Sequence, residues 1–207
     1  VIVERIKMKK TLFLSIIFTL VFSGCFSVSS LNPFSTETEK EIIKKKEIEI
    51  PEDAPLWLVE RRINNTISAI GYSKTKKELD KKELEFQKQK ALITASQNLA
   101  KKIYLKTINL YKNYMEKLEN PNVFDKDIKK FAEHISLKSL THSKIINTWI
   151  SSNDELYIQI AVDSSKVAEQ IQYSSKLLFN VDKTLYQNFL SNRAKIDIIK
   201  ELENNDN

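Results

Sequence analysis

At 207 residues, 42% hydrophobic and 29% charged, the chain has room for one domain that buries a core, plus extensions. Its two glycines, Gly24 and Gly71, exclude Gly-rich phosphate loops, and its net charge of +6 falls to +3 once residues 1–24 are set aside. The remaining lysines are interleaved with acids and the arginines number four, which describes a solvated surface; no nucleic-acid partner is expected.

The first predicted element is a secretory signal. From Met8 the stretch MKKTLFLSIIFTLVFSGC has a basic start at Lys9 and Lys10, an apolar run over 11–22, and small residues before a cysteine. The run is short of the ~20 residues a permanent span needs. Residues Val1 to Lys7 precede the methionine, and translation is expected to begin at Met8. Leu20-Val21-Phe22-Ser23-Gly24-Cys25 resembles the bacterial lipobox, with Phe22 where leucine is usual and small Ser23 and Gly24 leading to the cysteine. A thiolate is a competent nucleophile for taking up a lipid, and small neighbours let a peptidase approach the backbone. The resemblance implies cleavage after Gly24, a diacylglyceryl group on Cys25, and acylation (palmitate, for example) of its new amine. Two or three acyl chains hold a protein on a bilayer almost permanently, where one binds marginally. Cys25 is the chain's one cysteine, so lipidation would leave no thiol for a disulfide. Phe26 follows, where aspartate would be the usual inner-membrane retention signal, so the outer membrane is the expected location.

Residues 25–54 read as a flexible tether, with Ser, Thr and Pro followed by a charge run. Within it, Lys44-Lys45-Lys46 is either solvated linker or a contact for anionic headgroups, and the alternation of Glu47 to Ile50 is that of an edge strand.

The folded domain is expected over 55–172. Thr66 to Ser73 alternates as a strand, and Gly71 near its end marks a bulge or a close backbone approach. A long helix follows from about Leu84 to Leu118, with Leu92, Ala95, Leu99, Ile103, Leu110 and Tyr114 at helical spacing, stopped by Asn120-Pro121. Its tyrosines, 104, 111 and 114, are expected in the core rather than as a binding stripe. A shorter helix presents Phe124, Ile128, Phe131 and Ile135. The stretch SKIINTWISSNDELYIQIAVD then predicts a β-hairpin with one buried face, turning at Ser152-Asn153-Asp154, with Leu156, Ile158, Ile160 and Val162 inward. Asp163 or Ser164 caps a helix carrying Val167, Ala168, Ile171 and Leu178. Over 173–207 a C-terminal helical extension, with Leu185, Phe189, Ile196 and Ile199 on one face, runs into a polar tail. It is expected to pack on its own domain; the alternative is pairing with a neighbouring subunit. The fold class is α+β, a small antiparallel sheet packed against one long helix and shorter ones.

No constellation of catalytic residues stands out. His134 and His142 lack a cysteine or His-Glu-x-x-His partner for a metal, and a Gly-x-Ser-x-Gly elbow is impossible. Asp125 and Asp127 sit at a helix start, where they favour the dipole. The chain is expected to have no catalytic residues, no metal, no cofactor and no small-molecule substrate.

Pro55-Leu56-Trp57, Ala69-Ile70-Gly71-Tyr72, the small and apolar Ala91, Ala95, Leu99 and Ala100, and the closing Tyr157 to Asp163 together resemble the Lpp-twenty lipoprotein family and its flagellar relatives FlgP and the first domain of FlgT. The likeness spans about residues 55 to 172 and the lipobox. It implies a non-enzymatic outer-membrane lipoprotein, and in the flagellar relatives such domains assemble side by side around the motor. The partners it implies are the membrane, through the anchor, and further copies or other envelope and flagellar proteins. The alternative expectation is a general envelope or surface-exposed lipoprotein that binds a host or envelope ligand and has no flagellar role.

Overall fold

The structure is a computed structural model, and it describes residues 50–61, 63–74, 80–116, 128–175 and 183–204. The expected signal, the lipobox with Cys25, the tether over 25–49, the Asn120-Pro121 stop, Phe124 and Leu178 lie outside those residues. In chain order the elements are α1 (Leu56–Glu60), β1 (Thr66–Lys74), α2 (Lys81–Glu116), α3 (Ile128–Leu140), β2 (Lys144–Ile150), β3 (Glu155–Asp163), α4 (Ser164–Ser174), α5 (Lys183–Phe189) and α6 (Asn192–Asn204). The three strands form one antiparallel sheet in the order β1-β3-β2. The fold is α+β, as the sequence predicts.

The 36-residue α2 is the spine. Its near-continuous face of Ala91, Ala95, Leu99, Ala100, Ile103, Tyr104, Ile108 and Tyr111 is buried, which is why one helix can serve both the sheet and α3. Against the sheet the fit is closest at Gly71. A Cβ there would overlap the backbone nitrogen of Ala95 and the carbonyl oxygen of Ala91, and lie 2.8 Å from the Ala95 Cα. The expected close approach is therefore real, and it is made by helix backbone. Ser73, two residues on, donates its hydroxyl to the Gln87 carbonyl at 2.9 Å and ties the strand to the same helix.

The sheet's other face is covered by the segment that precedes it. Leu58 of α1 is fully buried with Ile70 and Tyr157, and Ala54, Trp57, Tyr72 and Trp149 pack around them. Gln159, also fully buried, donates to the Arg61 carbonyl at 3.3 Å and accepts from the Asn147 side chain at 2.8 Å. Strand β3 is thus buried on both faces, and its near-unbroken apolar run, LYIQIAV, is the pattern such a central strand needs. The expectation of a hairpin with one buried face needs correcting here. β3 is central and β2 is an edge strand, and Ile145 is 53% exposed because α2 crosses β1 and β3 rather than β2.

Asp163 caps α4, its carboxylate accepting from the Ser165 N–H at 2.7 Å. The C-terminal helices pack on their own domain. The expected boundary at 172 falls inside α4, and Phe189, Ile198 and Leu202 share one core with Ile67, Leu99 and Ile171. Gln172 fastens the join by donating to the carbonyls of Phe189 (2.7 Å) and Ser191 (3.2 Å). Lys195 reaches Glu169 at 2.8 Å, and Lys195, then Lys166, hold the Glu169 carboxyl below its ordinary range. The expected face is met in part: Phe189 is buried and Ile199 packs half-buried against the core. Ile196 is 53% exposed, while Ile198 and Leu202 are inward. The cause is a break at Leu190-Ser191, where the Ser191 hydroxyl accepts from the Ala194 N–H at 3.1 Å and starts a new helix with its own phase.

Candidate functional site

The residues that would carry the anchor, Phe22, Ser23, Gly24 and Cys25, are outside the described residues, so the structure brings nothing to them. Among the described residues no helix is long and apolar enough to cross a membrane. His134 and His142 both lie on the surface, on α3 and just after it, and Asp125 and Asp127 are not described. Among the described residues no group of three or more His, Cys, Asp or Glu side chains converges as a metal site would.

The tyrosines of α2 sit where the helical spacing predicts, in the core. Tyr104 and Tyr111 are buried, and Tyr114 is half-buried. Tyr111 meets Phe131 edge-on at 5.0 Å and stacks near Phe189 at 6.2 Å, while Tyr114 meets Phe189 edge-on at 5.5 Å. Among the described residues the Tyr111 hydroxyl has no hydrogen-bond partner, and burial, then the neighbouring Tyr114, pushes its pKa well up. A neutral phenol sealed among aromatic rings packs rather than reacts. Its hydroxyl is a liability, since burying an unpartnered polar group costs about 1–3 kcal/mol. Tyr111→Phe is therefore expected to raise stability by about 1 kcal/mol in urea unfolding. A loss of that size would mean that the hydroxyl has a partner.

Two surface grooves lie among the described residues. One, about 400 Å³, lies between the end of β1 and α2 and is lined by Tyr72, Lys74, Gln87, Lys90 and Ile93 among others. The other, about 560 Å³, is lined by Ile50 to Asp53 and by Ser152, Asn153 and Glu155 of the β2–β3 turn. Both are open, and the buried polar side chains that line the first, Ser73 and Gln87, already donate to the Gln87 carbonyl and the Glu83 carboxylate rather than into the groove.

The most distinctive surface is the outer edge of β2. In KIINTWI the sole charge is Lys144, and Ile145, Ile146 and Ile150 are 53%, 47% and 48% exposed. Ile146 is an extra residue, bulged between Ile145 and Asn147, and beyond it Asn147 to Ile150 pair regularly with β3. Trp149, on the covered face, packs on Tyr157 at 5.6 Å and holds the strand in place. The opposite edge of the sheet is closed. The Ser68 and Ile70 carbonyls of β1 accept from Lys102 Nζ (3.3 Å) and Asn98 Nδ2 (2.8 Å) of α2. Side chains that occupy edge carbonyls are one way proteins block strand addition. Sequence reading finds β2 as a strand but misses that it is an open edge. Its low charge was the available signal.

The chain matches no protein-family model and no curated protein.

Proposed function

We propose that the chain is an outer-membrane lipoprotein, anchored through Cys25, with a non-enzymatic role in building a cell-envelope assembly at the periphery of the flagellar motor. The observation that carries the reading is the place of the chain's one cysteine, directly after an apolar run, Ser23 and Gly24. The resemblance to the Lpp-twenty lipoproteins supports the location. The open, sparsely charged edge of β2 supports assembly, since an unpaired edge strand is a template for another chain. The lipid holds one end, the tether sets the height of the domain above the membrane, and the domain makes the contacts.

The test is swimming in soft agar by a deletion strain complemented with wild type or with Cys25→Ala, alongside fractionation of both forms. Wild type is expected in the membrane fraction and to restore swimming. Cys25→Ala is expected to leave the outer membrane and to fail to restore it, because an acyl chain contributes about 0.8 kcal/mol per buried methylene. Normal swimming in the deletion strain would remove the flagellar role and favour a general envelope lipoprotein. Outer-membrane retention of Cys25→Ala would remove the lipid anchor.

A further inference from the structure

Among the described residues the fold closes one edge of its sheet and leaves the other open, and the open edge is asymmetric in charge. Lys144 stands exposed at the start of β2. At its finish are exposed Glu52 and Asp53, the latter's carboxylate accepting from the Ser152 N–H at 3.2 Å, with Glu155 across the turn. A second copy laid antiparallel along β2 would bring each basic start to the other's acidic finish, whereas a parallel one would set like charges together. The bulge at Ile146 limits regular pairing with β3 to the far end of the strand, Asn147 to Ile150. Antiparallel pairing about Thr148 uses that stretch fully. It sets Ile150 of each copy opposite Ile146 of the other and Trp149 opposite Asn147, and it brings Lys144, beyond the bulge, toward the end of the partner strand where Asp53 holds the Ser152 N–H. Ile146 and Ile150, 47% and 48% exposed, are then covered in pairs, twice, by one symmetry operation.

We propose that β2 pairs antiparallel with β2 of a second copy across a two-fold axis at Thr148, joining two three-stranded sheets into one of six strands. The inference deepens the assembly reading and rests on it for its biological meaning, but the contact stands on the geometry of the edge. Such a dimer would be a unit for a larger array, with the β1 edges already closed by Asn98 and Lys102.

The test uses the full chain in its own membranes, with Thr148→Cys introduced and Cys25 left in place. Residues directly opposite in an antiparallel pair have Cα atoms about 4.5–5.5 Å apart, within disulfide reach. Mild oxidation is expected to shift Thr148→Cys from monomer to covalent dimer on a non-reducing gel, while Lys200→Cys, exposed on α6, stays monomeric. Adding Ile150→Lys is expected to abolish the shift, and circular dichroism of that variant checks that it folds. Monomer at Thr148→Cys, or an equal shift at Lys200→Cys, would overturn the pairing. A dimer that forms only after residues 41–49 are deleted would overturn it too, because the chain's own segment would then occupy the edge. The two readings fail separately. A dimer in a strain that swims normally without the protein upholds the pairing and removes the flagellar role, whereas monomer with Cys25-dependent membrane retention does the reverse.

Discussion

Gly71→Ala is expected to destabilise the domain by about 3 kcal/mol, the upper end of what overpacking a core costs. The added methyl has nowhere to go. It would overlap the Ala91 carbonyl oxygen and the Ala95 nitrogen, well inside any non-bonded contact, and the Ala95 Cα is 2.8 Å away. These are backbone atoms of α2, so no rotamer change relieves the contact and the helix has to move off the sheet. That movement would also lengthen the bonds from Asn98 to Ile70 and from Ser73 to Gln87. Ala95→Gly is accordingly not expected to rescue the variant, since the methyl it removes is not what the new Cβ meets. Instead it adds the roughly 1 kcal/mol that glycine costs in a helix interior. Thermal unfolding should show the single variant lowered by roughly 6–12 °C for a chain of this size. A wild-type midpoint would mean that α2 does not sit on β1 as described.

Ending the chain after Ser175 is expected to abolish cooperative unfolding. Three side chains that are at most 3% exposed, Phe189, Ile198 and Leu202, would be removed. At about 1.5–3 kcal/mol each, they contribute an amount comparable with the whole stability of an ordinary domain, about 5–15 kcal/mol. The cut also uncovers Tyr111 and Ile171, and takes the acceptors from the buried Gln172 amide. The truncated chain should show a broad, featureless urea transition by circular dichroism. Ile196→Ser, on the exposed side of α6, serves as the control and should stay within about 0.5 kcal/mol of wild type. A truncated form with a sharp transition at the wild-type midpoint would make α5 and α6 an appendage.

Much of the fold is legible residue by residue. The spacing of Ala95, Leu99, Ile103 and Leu110 marks the inner face of α2, and those four are buried. Asp163 was one of two named cap residues, and it holds the Ser165 N–H. Gly71 stands out as a lone glycine in a strand, though its cause, a helix backbone crossing at that point, lies well away in sequence. The interaction edge was less legible. Ile145 and Ile160 face each other across β2 and β3, yet one is half exposed and the other buried. Their local patterns are alike, and the difference is whether a helix passes overhead.

The same division holds for the whole protein. Short-range pattern marks the three strands, the long helix and most of the shorter ones, the Asp163 cap and the place of the single cysteine, whereas the short α1 carries no such signal. Periodicity, capping chemistry and a motif are all short-range properties. The tertiary structure alone decided which strand is central, which edge is closed and which face of α6 is inward. It also decided that the residues after 172 belong to the core. Those outcomes depend on where α2 crosses the sheet and on a phase break at Ser191, and burial is set by what arrives from far along the chain rather than by the residue's own neighbours.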